Sequence, residues 1–173
     1  YRAHLKQRYW SVYNPMNESK LDRFENYLGI WLQQSFSDQI DFTAEGEYLL
    51  GSDYKLEAQF TSPWFYAKFQ RTSTSPSIAQ NWVHNISYRW KNDFTNIQFD
   101  VLEGGLTYQS KQFCVKPYVT IQRIGNWAYF DSLANVKQTK EAIGVFRTSV
   151  ELGGHFGKFE WETRMHANTT TGP

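Results

Sequence analysis

The segment "QIDFTAEGEYLLG", residues 39–51, alternates between oily and polar side chains. Ile40, Phe42, Ala44, Tyr48 and Leu50 fall on one parity, with Gly46 among them. Asp41, Thr43, Glu45 and Glu47 fall on the other. Successive side chains of a strand point to opposite faces, so the segment is expected to be one long strand with an apolar and an acidic face. In a soluble protein the apolar face is the core. In a membrane barrel it meets lipid, and the charged face lines the interior.

The same period recurs through most of the chain. Near the beginning, Arg2, His4, Lys6 and Arg8 oppose Ala3, Leu5 and Tyr9. Phe24, Leu28, Ile30, Leu32 and Phe36 then share a parity, before a turn at Ser37-Asp38. Leu56, Ala58 and Phe60 oppose Lys55, Glu57 and Gln59. At Ser62-Pro63 the phase slips, as at a β-bulge, and Phe65, Ala67 and Phe69 continue the apolar side. Residues 77–90 pattern as a further strand, with Ile78, Trp82, Ile86, Tyr88 and Trp90 against Asn81, Asn85, Ser87 and Arg89. His84 shares the aromatic parity. Ile97, Phe99 and Val101 align, with a phase shift at Gly104-Gly105 before Leu106 and Tyr108. Phe113, Val115, Val119 and Ile121 oppose Lys116, Thr120 and Gln122, although Pro117 lacks a ladder donor. Residues from about 125 to 141 pattern as a loop. Phe146 to Phe156 and Phe159 to Met165 form a final hairpin across Gly157-Lys158. About nine strands joined mostly by short turns make an antiparallel meander. The expected fold class is an all-β, up-and-down transmembrane β-barrel, with residues 1–173 forming part of a single barrel domain.

Composition narrows the function classes. The formal net charge is +1, too small for a nucleic-acid-binding field. No window holds the roughly 20 apolar residues of a transmembrane helix, which does not bear on a barrel. The single Cys114 excludes an internal disulfide and a Cys-based zinc site. Strand length favours the membrane. The opening segment would extend about 40 Å, which at a tilt of about 45° spans roughly 28 Å, close to the hydrocarbon thickness of ~30 Å. Aromatics form 18% of the chain, and several fall near strand ends, where Trp and Tyr favour a lipid–water interface.

No spacing establishes a catalytic group. Ser149, His155, Glu160, Glu162 and His166 share polar parities on the last two strands, but a hydrolase needs hydrogen-bond contact among them, and ordinary polar wall residues fit as well. His155, Glu160 and His166 lack a tight metal-ligand motif. The reading is therefore not an enzyme, with no metal and no cofactor. The functional candidate is the charged wall. Its expected pore-lining residues are Arg2, His4, Lys6, Arg8, Asp41, Thr43, Glu45, Glu47, Glu57, Arg89, Lys116, Arg147, Glu151, Glu160, Glu162 and Arg164. Such residues either bias the passage of ions as acidic and basic sectors or pair across strands and keep the interior wet.

Two stretches, "TSPSIAQNWVHNISYRWKNDFTNIQ" (74–98) and "KPYVTIQRIGNWAYFDSLANVKQT" (116–139), carry a family resemblance. The first ends a strand in an aromatic before Asn/Asp-rich residues and Phe. The second runs from a strand through "RI" into an aromatic loop. With them the region from about 61 to 140 resembles the putative porin family of Bacteroidota outer membranes. The resemblance implies an outer-membrane β-barrel larger than this chain, with a channel role for small polar solutes or ions. Its partners would be the outer-membrane bilayer and, in some assemblies, other outer-membrane chains. The absence of a signal peptide and the ending "NTTTGP" suggest a piece of a longer barrel. Two alternatives stay open: an outer-membrane barrel that serves as a scaffold subunit of a larger complex, and a soluble antiparallel barrel that holds an apolar ligand as lipocalins do.

Overall fold

The computed structural model describes residues 1–14, 19–84 and 89–172. Its strands are β1 (Arg2–Asn14), β2 (Ser19–Ser37), β3 (Ile40–Leu49), β4 (Tyr54–Thr61) and β5 (Phe65–Thr74). A four-residue helix, α1 (Ile78–Asn81), precedes the short β6 (Trp82–His84) and β7 (Arg89–Lys91). There follow β8 (Ile97–Leu106), β9 (Tyr108–Gln109), β10 (Phe113–Gly125), β11 (Ala128–Phe130), β12 (Val136–Gln138), β13 (Ile143–Phe156) and β14 (Phe159–Thr171). One antiparallel sheet runs β1-β2-β3-β4-β5-β8-β10-β13-β14, with β9 beside β10. Each long strand pairs with the next, so the all-β, up-and-down expectation holds. The sheet is open: among the described residues β1 and β14 do not pair. No described helix is long and apolar enough to cross a membrane.

The strand count hides two departures from the expected boundaries. Ser62-Pro63 is a hairpin turn and not a bulge. The Ser62 hydroxyl donates to the Phe65 carbonyl (2.7 Å) and accepts from the Phe65 amide (3.1 Å), while Pro63 lacks an amide to keep a ladder going. Of the expected strand over 77–90, the described residues 77–84 and 89–90 take no part in the main sheet, where β5 pairs directly with β8. Ser77 and Gln80 form a reciprocal capping box: Ser77 N donates to Gln80 Oε1 (2.9 Å) and Gln80 N to Ser77 Oγ (3.3 Å). This starts α1, and β6 and β7 pair with each other in a separate two-stranded sheet. Ile86 and Tyr88 lie outside the described residues.

Two finer expectations also change. Gly104-Gly105 does not shift the phase, because β8 keeps one register with β5 from Thr74↔Ile97 to Phe65↔Leu106. Leu102 and Leu106 therefore join the apolar face, and Ile97, Phe99 and Val101 fall on the polar one. Residues 125–141 are not featureless: β11 and β12 form a small hairpin. Pro117 is tolerated where β10 changes partner, between Val115↔Tyr108 and Tyr118↔Gly105.

Short turns at 38–39, 62–64 and 157–158 close one end of the sheet. The long connections 75–96 and 126–142 lie at the other. Most burial is there too. The buried apolar residues among those described are Leu49 (3% exposed), Ile97 (6%) and Ala128 (1%). Leu49 and Ile97 are on the polar-face parity, the side on which Trp127, just before β11, packs edge-on to Phe99 at 6.2 Å. Side-chain amides stitch the loops together. Gln138 Nε2 donates to the carbonyls of Thr95 (2.7 Å) and Asn126 (2.8 Å). Gln80 Nε2 donates to the Ala128 carbonyl (2.8 Å), and Asn96 Nδ2 to that of Ser52 (2.9 Å).

Candidate functional site

On β5 and β10 burial alternates out of phase with polarity. Along β5, Phe65, Ala67 and Phe69 are exposed, while Tyr66, Lys68, Gln70 and Thr72 are half-buried. On β10 Val119 and Ile121 are exposed, and Tyr118, Thr120 and Gln122 are less so. A soluble sheet does the opposite. The polar side chains crowd together across the strands. The apolar face, from Leu5 and Leu28 through Leu102 to Met165, has no layer over it among the described residues.

The polar face begins at β1. Arg2, His4, Lys6 and Arg8 stand opposite Trp31, Gly29, Tyr27 and Glu25 of β2. Gly29 leaves room for the His4 imidazole to lie against the backbone: a Cβ there would clash with the ring. From that position His4 Nε2 reaches Glu47 Oε2 at 3.5 Å, and Lys6 Nζ lies 3.6 Å from Glu47 Oε1. Arg8 Nε donates to Glu25 Oε2 (2.7 Å), and the same carboxylate accepts from Trp10 Nε1 (2.9 Å) and Tyr27 OH (2.8 Å). Arg2 stacks over the Trp31 ring at 5.7 Å.

The acidic residues follow on the next strands. Asp41, Thr43, Glu45 and Glu47 of β3 line up across from Thr61, Gln59, Glu57 and Lys55 of β4. Lys55 and Lys68 each place Nζ 3.1 Å from Glu57. Glu45 faces Glu57 but makes no ion pair among the described residues. Glu103 on β8 accepts from Thr120 Oγ1 (3.0 Å) and Tyr66 OH (3.3 Å). Beyond it, Lys116, Glu151 and Arg164 form a row across β10, β13 and β14, with Arg164 Nη2 2.6 Å from Glu151 Oε1. Arg147 Nε donates to Asn168 Oδ1 (2.8 Å). Glu160 and Glu162 continue the face on β14, opposite His155 and Gly153.

The structure thus places the expected wall residues on one face of the main sheet, except Arg89. Arg89 belongs to β7, outside that sheet, because α1 and the β6–β7 pair replace the expected strand. The basic and acidic groups near β1–β4 are neighbours that pair, instead of separate fields. Four charged contributors described above were missed: Glu25, Lys55, Lys68 and Glu103. Glu103 was hidden by the assumed phase shift, whereas the expected alternation already put Lys55 and Lys68 on the polar parity of their strands. Glu25 sits on the polar parity of β2, so alternation alone marks it. Ser149 lies opposite His166 without a hydrogen bond between their side chains, and no cluster of three or more potential metal ligands occurs among the described residues.

The border of the apolar face adds a geometric observation. Straight across the registers, Arg123 of β10 is level with Asp100, Arg71, Leu56, Gly46 and Ile30. On β5, β8 and β10 this row is where apolar residues give way to charge. On β2 the change comes only at Asp22, beyond Phe24, about eight residues nearer the long-loop end. The border runs level across β5, β8 and β10 and is displaced toward the long-loop end by β2, an average slope of about 45° over the five strand steps at ~3.4 Å per residue and ~4.8 Å between strands. At the other border the apolar face extends farther on β13 and β14, to Phe156 and Phe159, than on β8, which ends at Leu106. Between β14 and β8 this border is displaced in the same sense as the other, and from β8 to β2 it runs level, with Phe36 beside the row Ser35, Asp41, Thr61, Tyr66 and Gly105. Strands of membrane barrels tilt by about 35–45°, so a horizontal lipid band would cut their registers along such a diagonal.

A family model described as a putative porin matches residues 1–172. The chain belongs to the putative porin family. Membership agrees with the strand-rich meander and suggests a membrane channel role. No curated protein and no solved structure was found to match the chain.

Proposed function

We propose that this chain is a sector of the wall of an outer-membrane β-barrel, through which small polar solutes or ions diffuse passively along the charged face. The observation that carries this reading is that large apolar side chains are exposed along one face of the sheet, while on β5 and β10 the polar face is half-buried. On β13 the span from Phe146 to Phe156 is ~34 Å of strand, or about 24 Å at a 45° tilt, which suits the ~25 Å apolar band of such barrels. Membership of the putative porin family supports the same role, and covalent chemistry is not part of it.

The long-loop end would face outward and the short turns inward, as in barrels of this kind. The stitched loops over Ile97 and Phe99 then narrow one mouth on the polar side. The open edges of β1 and β14 require partners. In lipid an unpaired row of amides and carbonyls costs several kcal/mol per group, so other strands, of the same polypeptide or of another chain, would complete the wall.

Single-channel recording of the full-length polypeptide tests the proposal. Discrete conductance steps are expected. Glu45→Lys should lower the preference for cations over anions, read as a shift in reversal potential, because this carboxylate on the polar face makes no ion pair among the described residues and the change reverses its charge. An inserted barrel without conductance would favour the scaffold role. A protein that stays monodisperse without detergent would overturn the membrane reading.

A further inference from the structure

The apolar face carries few charges. Among the described strands its cations are Lys20, Arg71 and Arg123, and its anions Asp22 and Asp100. Lys20 Nζ is 3.0 Å from Asp22 Oδ2, and Arg71 Nε is 3.1 Å from Asp100 Oδ1. Arg123, directly across from Asp100 on the other side, is exposed and has no ion-pair partner among the described residues. Two guanidinium groups therefore flank one carboxylate on adjacent strands, and one positive charge is left over. The row lies at the border of the apolar band, at the long-loop end. Phe69, Leu102 and Ile121 adjoin it on the apolar side, and Ser73 and Gln98 on the polar side.

We propose that Arg71 and Arg123 form a binding site for the phosphate of an anionic lipid headgroup. The inference rests on the membrane reading above. An arginine at the border of a lipid-facing surface reaches the headgroup layer, and guanidinium offers paired N–H donors that match phosphate oxygens. Asp100 holds Arg71 along the sheet by their ion pair, and Arg123 supplies the unbalanced charge. Acyl chains below the headgroup would lie against Leu102, Ile121 and Phe69, so one amphiphile meets both charge and apolar surface. A free phosphate ion would gain only the first contact. The site thus selects a phosphorylated amphiphile over the inorganic anion.

Native mass spectrometry of the full-length barrel tests this. The barrel is taken from bilayers of phosphatidylglycerol and phosphatidylcholine, and the lipid retained after mild delipidation is identified. Wild type should keep phosphatidylglycerol in preference to phosphatidylcholine. The Arg71→Gln/Arg123→Gln variant should lose that preference by about tenfold while inserting normally. Gln98→Ala, a neutral neighbour, should retain it. Equal retention by wild type and the double variant, with both inserted, would overturn the proposal. Displacement of phosphatidylglycerol by inorganic phosphate would also overturn it, in favour of a free-anion site. Failure of the wild type to enter bilayers at all would instead refute the membrane reading beneath it.

Discussion

Ala44 and Thr43 are adjacent but belong to different solvents on the proposed reading. Ala44 pairs with Leu32 and Ala58 on the apolar face, and Thr43 with Gln33 and Gln59 on the polar one. Ala44→Arg should impair insertion, since an arginine at the midplane of a barrel's lipid face costs roughly 2–4 kcal/mol. Thr43→Arg should be tolerated. A membrane-assembly assay that treats both alike would contradict the facing. Gly29 gives a second test, on the polar side. Gly29→Val would drive the His4 ring off the backbone and away from Glu47, at a cost of about 1–3 kcal/mol from overpacking. Adding His4→Ala should recover part of that loss, because the clash partner is gone. Unfolding midpoints in detergent for the two single variants and the double variant measure the coupling.

Among the elements, the β11–β12 hairpin is held by an electrostatic clasp that lies off the sheet. Lys137 Nζ is 3.0 Å from Asp131 Oδ2, and the amides of Leu133 and Asn135 each donate to Asp131 Oδ1 at 2.9 Å. The hydrogen bond from Lys137, with those from Asn135 and Leu133, lowers the Asp131 carboxyl to about 2. The bond to Asp131 raises Lys137 above its usual value. A lowered carboxyl stabilises the folded turn fully above its unfolded value of about 4 and loses that contribution as pH falls toward 2. A raised ammonium contributes below its ordinary value of about 10.5 and is lost as pH rises through the folded one. Amide exchange of residues 131–137 should therefore be slowed least at the two extremes, after correction for intrinsic rates. Asp131→Asn should flatten the acid limb. This hairpin was invisible to alternation because three-residue strands contain too little period to recognise. The helix α1 was legible in principle, since Ser77 and Gln80 carry the spacing of a capping box, but the aromatic alternation around it outweighed that local signal.

At the scale of the molecule, the unpaired edges decide how the protein behaves. Nine long strands with two free edges cannot form a stable sheet in lipid by themselves. Residues 1–173 expressed alone should aggregate or fail to insert, whereas the complete assembly should resist SDS until heated. Gel mobility with and without boiling reads the difference, and a detergent-stable monomer of only these residues would show that the edges are satisfied some other way. The meander, its two faces and most of its charged wall were determined by the sequence itself, because period-two alternation is written residue by residue and each side chain's face follows from its parity. Tertiary pairing alone decided the rest. Register brought His4 and Lys6 to Glu47 and Arg164 to Glu151, turning expected sectors into paired charges. It set Arg71, Asp100 and Arg123 in one row across strands that lie far apart in the chain. It also removed Arg89 from the wall and turned Ile97 and Phe99 toward a loop cap. Parity reports which side a residue takes, but which residues stand level across strands depends on turn lengths and hydrogen-bond register, and these exist only once the chain has paired.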